Sequence, residues 1–224
     1  MNYKLATKSI KMKHVFFSLL LLFSGLAMAQ NQDELMTDVN TVCNNLDSLR
    51  TKEEWKFKNE QLTILKEKYP EHWLTNYYAA YSAIQITYYE EKADIKDMYL
   101  DAAEGMIATM EATCPLKDEV HVMKAMLANA RLAVDPMKRY EKYGAIFDEN
   151  LKSAKTLNEN NPHIYLLKAY ALFYTPKMFG GGAKNAQPYF EKAKEKFKLM
   201  TKRSLDVPFW GEPGTDYMLE ECKK

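Results

Sequence analysis

Apolar positions recur at three- and four-residue steps along most of the chain beyond residue 30, and their character changes at regular intervals. Trp73, Tyr77, Ala80, Ile84 and Tyr88 predict a helix over 71–89. Similar runs near 118–134 and over 163–174 predict two more, and all three are apolar on more than one face, as helices packed between neighbours must be. Each is followed by a more charged segment with one apolar stripe. The stripes are Ile95, Tyr99, Ala102, Met106 and Met110; then Tyr140, Phe147, Leu151 and Ala154; then Ala186, Tyr189, Phe190, Ala193, Phe197 and Met200. These read as helices that cover the inner ones from outside. Ahead of them, Leu35, Val39, Val42, Leu46 and Leu49, a break at Arg50-Thr51, and Trp55, Leu62, Leu65 and Tyr69 predict one further pair.

Pro70, Pro115, Pro162 and Pro208 punctuate this pattern at separations of 45, 47 and 46 residues. A near-constant period with matching interiors is the mark of stacked supersecondary units. No stretch alternates apolar and polar over a strand's length, and only 8 glycines are present. The expected fold is therefore all-α: about four antiparallel helical hairpins, approximately 31–69, 71–113, 116–159 and 162–204, closed by a short C-terminal cap over 208–224. In the cap, Pro213-Gly214 reads as a turn ahead of a short helix from Asp216 to Lys223.

Ala186-x-x-x-Phe190-x-x-Ala193 resembles the second-helix signature of a tetratricopeptide repeat, and Ala103-x-x-x-Ile107-x-x-Met110 followed by Pro115 keeps its spacing. The resemblance implies a tetratricopeptide-like α-solenoid in which small residues let paired helices approach and first helices line a concave groove that binds peptides. Two features depart from the family: the period is near 46 against the family's 34, and the first-helix Trp/Leu/Gly/Tyr pattern survives only loosely, as in Trp73-Leu74 and Tyr165-Leu166. The chain is similar to exported tetratricopeptide-like proteins of Gram-negative bacteria, including helical partners of solute transporters.

The first 29 residues read as a secretory signal peptide. Lys4, Lys8, Lys11 and Lys13 precede an apolar stretch from Val15 to Leu26, and Ala27-Met28-Ala29 places cleavage between Ala29 and Gln30. About twelve apolar residues fall short of the roughly 20 a membrane span needs. No cysteine follows the cleavage site to take a lipid, so the expected product is exported, unanchored after cleavage, and periplasmic. Loss of the leader's lysines leaves 27 basic against 30 acidic residues, a balance that argues against nucleic acid as a partner. Cys43, Cys114 and Cys222 are too few and too far apart for a disulfide framework; one bridge or none is open.

Candidate chemistry is sparse. Phe179-Gly180-Gly181-Gly182 precedes a helix but lacks the Gly-Lys-Ser/Thr ending of a phosphate loop, so its glycines read first as a sharp connection. His72 and His163 sit just after Pro70 and Pro162, where they are expected to cap or solvate the next helix, and no histidines have metal-ligand spacing. Trp210 reads as a residue of the cap. No nucleophile motif appears, so no enzyme, metal or cofactor is expected. The 15 tyrosines are the unusual feature; those at 77, 78, 81, 88, 89, 165, 170 and 174 fall on the inner helices, most of them as core. Polar interruptions of those helices are the expected contact residues: Asn76, His121, Lys124, Asn129, Arg131 and Lys168, with Tyr77 and Tyr81 as aromatic neighbours. The leading expectation is a scaffold that binds a protein segment or peptide; the alternative is a small-molecule carrier or transporter accessory with a pocket between hairpins.

Overall fold

A computed structural model describes residues 32–201, 204–208 and 210–224. The signal peptide and the Ala29/Gln30 cleavage site lie outside the described residues. The chain divides into a unit up to Thr41 and a unit from Val42 to Lys224. A first helix (α1) runs over 32–43, and within it the hydroxyls of Thr37 and Thr41 donate back to the carbonyls of Asp33 and Thr37.

From Val42 on, the described residues form α2 (Lys52–Lys68), α3 (Trp73–Thr87), α4 (Ala93–Thr113), α5 (Lys117–Val134), α6 (Pro136–Leu157), α7 (Pro162–Tyr174), α8 (Ala183–Leu199) and α9 (Glu212–Glu221). Consecutive helices pair closely, α3 with α4, α5 with α6 and α7 with α8, while α3, α5 and α7 also touch one another in sequence. This is the all-α array of helical hairpins that the periodicity predicts.

Helix starts follow from local chemistry. Thr51 accepts from the Glu54 N–H at 3.2 Å while the Glu54 carboxylate accepts from Thr51 N–H at 2.9 Å, a reciprocal cap on α2. Asp135 and Asn161 cap α6 and α7, and each is followed by a proline whose missing N–H would have had no helical partner. The His72 Nδ1 accepts the Leu74 N–H and caps α3 as expected. His163 does not cap α7, because Asn161 holds that position; one residue beyond Pro162 instead of two, the imidazole turns into the core and is 0% exposed. Pro213-Gly214 is likewise not a turn ahead of the last helix but lies within the first turn of α9.

Inner and outer helices differ as the sequence implies. From Leu74 to Ile84 every residue of α3 is buried, whereas α4 buries only Leu100, Ala103, Ile107 and Met110, a stripe one residue on from the expected Tyr99, Ala102 and Met106. On α6 the expected Phe147, Leu151 and Ala154 are buried but Tyr140 is exposed. In α8 the buried stripe is Ala186, Phe190, Ala193, Lys196 and Phe197. Full burial of a side chain such as Phe190 contributes about 1.5–3 kcal/mol, and the alanines between allow the partner helix to lie close. Cys43, Cys114 and Cys222 are free thiols.

Candidate functional site

Tyrosines gather at the ends of α3 and α7. At the end of α3 the chain turns through Tyr88, Tyr89 and Glu90, with the Tyr89 and Glu90 N–H groups donating to Ile86 O. Glu90 holds the turn: its carboxylate accepts from the N–H groups of Glu91 at 2.9 Å and Lys92 at 3.1 Å and pairs with Lys52 Nζ at 2.7 Å. The Lys52 ammonium and those two N–H groups hold its carboxyl down at about 2. At the end of α7, Tyr170 and Tyr174 stand one helical turn apart with rings nearly parallel, 7° and 6.5 Å between centroids. Phe190 of α8 backs Tyr170 edge-on at 5.3 Å, and Phe173 meets Tyr174 edge-on at 5.2 Å. The first turn of α9 abuts the same ring, since a Cβ on Gly214 would lie 2.9 Å from the Tyr170 hydroxyl.

Tyr89 lies within electrostatic range of both Tyr170 and Tyr174, and Tyr217 within range of Tyr174. Burial pushes the Tyr170 phenol up to about 12, with Tyr174, Asp47 and Tyr89 adding to the rise and Arg50 opposing it. Burial also raises Tyr174, whose next influences are Tyr217 of α9 and Tyr89. Yet Tyr174 is 73% exposed, Tyr217 64%, Tyr88 45% and Tyr89 38%. Desolvation raises the Tyr88 phenol, opposed by its hydrogen bond with Asn129. Arg50, held by its own donation to the carbonyls of Asp47 and Leu49, is exposed and lies within electrostatic range of Tyr170. Tyrosine offers a flat apolar face with a polar tip, so this arrangement is suited to stacking a planar ligand and orienting its acidic groups.

The core holds a buried polar network. Tyr77 Oη donates to Glu119 Oε2 at 2.8 Å and accepts from Trp210 Nε1 at 2.7 Å. Asn161 Nδ2 donates to Glu119 Oε1 at 2.6 Å, and His163 Nδ1 lies 2.9 Å from the same oxygen. The Trp210 indole stacks on the His163 ring at 4.1 Å and 8° and packs against Tyr81 at 5.0 Å. Gly211 N–H then donates to Asp47 at 2.9 Å. Trp210 thus pins the segment that leads into α9.

The residues expected from the sequence fall in several places. Tyr77 and Tyr81 are buried in the network and its packing, and the Asn76 amide, also buried, donates to the carbonyls of Pro70 and His72. His121 contacts Asn150, Lys124 pairs with Glu111, and Lys168 pairs with Asp148. Arg131 is shared among Asp97, Asp101 and Glu104. Asn129 bonds Tyr88. The glycine loop spends its N–H groups on its own chain: Gly180, Gly181 and Gly182 donate to the carbonyls of Lys177, Pro176 and Leu172. Two polar clefts lie elsewhere, one of ≈ 390 Å³ lined by Arg131 and Arg139 with Asp97 and Asp101, the other of ≈ 440 Å³ lined by His121, Glu149 and Lys152. No group of three or more metal-ligating side chains and no helix long and apolar enough to cross a membrane occurs among the described residues.

Sequence reasoning placed Tyr88, Tyr89, Tyr170 and Tyr174 on inner helices as core, but missed that they gather at the helix ends. It missed Tyr217 and Arg50 altogether. The available signal was the grouping of Tyr88, Tyr89 and Tyr174 at the ends of their helices. No family model matches the chain, and no curated protein matches it. Among solved structures, the HusA haemophore from Porphyromonas gingivalis is similar in fold, with a TM-score of 0.69 and 29% sequence identity over 86% of this chain and 92% of that chain.

Proposed function

We propose that this is an exported, non-enzymatic carrier that binds a flat macrocycle of the haem type on the face formed by Tyr88, Tyr89, Tyr170, Tyr174 and Tyr217. The observation that carries the reading is that exposed tyrosines at the end of α3, on α7 and on α9 lie within electrostatic range of the Tyr170–Tyr174 pair, as does Arg50. The similarity to a haemophore over nearly the full length of both chains supports it. The side chains present suit such a ligand: rings for stacking, phenol oxygens of the kind that can ligate haem iron, and Arg50 for a carboxylate. His163, being buried and engaged, is not available to the ligand. The hairpins are divergent tetratricopeptide-like units that serve as the frame, and the periplasm is the compartment the leader implies. A carrier must hand its ligand on, so an acceptor protein is the partner we retain.

Titrating haem into the chain from Gln30 onward, followed by absorbance and tryptophan quenching, tests this. Saturable binding near one ligand per chain is expected. Absence of saturation removes the macrocycle reading, and capture of a peptide segment in its place returns the leading expectation from the sequence.

A further inference from the structure

The donors and acceptors of the buried network bear on where its protons lie. Trp210 Nε1 can only donate, and it points at Tyr77 Oη, so the Tyr77 proton is directed to Glu119 Oε2. The N–H of His163 donates to Asn161 Oδ1, which makes the other end of that amide the donor to Glu119 Oε1. Both carboxyl oxygens therefore receive a donor, the pattern a carboxylate makes; a protonated Glu119 would have to pass its own proton to His163 Nδ1 from the oxygen that already accepts from Asn161. His163 then faces two acceptors at once: Glu119 Oε1 from Nδ1 at 2.9 Å and the Trp210 carbonyl from Nε2 at 3.2 Å. A neutral imidazole carries one N–H and can satisfy one of them; the imidazolium satisfies both.

We infer that His163 is held as an imidazolium and is a positioning residue, whose second proton pins the Trp210 segment and with it the α9 wall of the tyrosine face. The cation also lies flat against the Trp210 indole, an arrangement that favours the charged ring. The ionisable groups around it come from every packed element: Tyr77 on α3, Glu119 and Asp118 on α5, and Asp47 ahead of α2, whose carboxyl feels His163. On α8, Phe197 meets the ring edge-on while the Lys196 ammonium donates to Asn160 at 2.6 Å. The tail is fixed at three points, Trp210 Nε1, Trp210 O and Gly211 N, just before α9 begins and carries Tyr217 to the face. Losing the imidazolium proton leaves two acceptors facing each other and frees one of those points. The link to ligand rests on the macrocycle reading; the link from His163 to α9 does not.

The test is nitrogen NMR of ¹⁵N-labelled exported protein at pH 7.5, with His163 assigned by the signal lost in His163→Gln. Two protonated ring nitrogens on His163 are expected in the wild type, with the second lost in Glu119→Gln. Amide exchange across 212–221 should quicken about tenfold in both variants, and haem affinity should fall several-fold. A His163 with a single ring N–H, or α9 exchange unmoved by both variants, overturns the inference. Should His163→Gln not fold, the wild-type spectrum and Glu119→Gln decide it. Faster α9 exchange with no haem binding in any form upholds the positioning role and removes the ligand instead.

Discussion

Replacing Tyr77 with phenylalanine isolates one oxygen at the centre of the structure. The ring is 0% exposed, and its edge-on contact with Tyr78, 5.3 Å between centroids, is kept in the variant. What is lost is a donor to the buried Glu119 carboxylate and the acceptor for Trp210 Nε1. An unsatisfied buried polar group costs about 1–3 kcal/mol. Glu119 keeps Asn161 and His163, whereas the indole N–H keeps nothing, so the expected loss is about 2–4 kcal/mol in total. For a chain of this size that corresponds to a fall in Tm of about 5–15 °C. Urea denaturation should show the midpoint moving with an unchanged m value. Combined with Glu119→Gln, the two losses should be non-additive by about 1 kcal/mol or more, because both act on one bond. A Tyr77→Phe variant within about 0.5 kcal/mol of wild type would refute the view that this network locks the tail to the hairpins.

Other consequences follow from the same geometry. Burial pushes Cys43 up to about 12 and Cys114 to about 11, so an alkylating reagent at pH 8 should modify Cys222 first and the other two only after denaturant is added; prompt labelling of Cys43 in the folded chain would contradict its burial. Glu90 is held down at about 2 by Lys52 and two N–H groups, so its contribution is complete above its ordinary value of 4.5 and disappears as pH falls from there toward 2. Glu90→Gln should therefore flatten the acid limb of the stability curve in that window, read by thermal melts from pH 5 to 2. Gly211 has φ +88°, and a Cβ there would sit 2.5 Å from Leu166 Cδ2, so Gly211→Ala should cost about 1–2 kcal/mol or more and alter Trp210 fluorescence. An Ala variant as stable as wild type would mean that the tail is not seated as described.

The hairpin array was legible because it is written locally. The three- and four-residue spacing of Ala186, Phe190, Ala193 and Phe197 specifies a buried stripe without reference to the rest of the chain. On α4, by contrast, the stripe read from Ile95, Tyr99, Ala102 and Met106 lies one residue off the buried one, because Tyr99 and Met106 are as apolar as the Leu100 and Ile107 beside them. The Glu119–His163–Trp210 network was not legible, since its members come from α5, α7 and the tail and meet only when the hairpins stack. His163 looked like the equivalent of His72, but the prolines before them stand in different registers relative to their caps. Polar residues on inner helices, such as Arg131 and Lys168, read as ligand contacts because sequence shows a charge but not the carboxylates that meet it across a neighbouring helix. The aromatic face was half visible: its tyrosines were noticed, but periodicity counts a ring as core wherever it falls on the apolar side, and the end of a helix is where that rule fails.

The central claim is that the tyrosine face between α3, α7 and α9 is where the ligand sits. Haem titration into wild type, Tyr174→Ala and Tyr217→Ala, with Tyr140→Ala as an exposed tyrosine on α6, tests it directly. A stacked ring contributes about 0.5–1.5 kcal/mol, so each of the first two variants should weaken binding about 3- to 10-fold and Tyr140→Ala should leave it unchanged. Equal affinity across all four proteins, or a loss confined to Tyr140→Ala, would contradict the assignment.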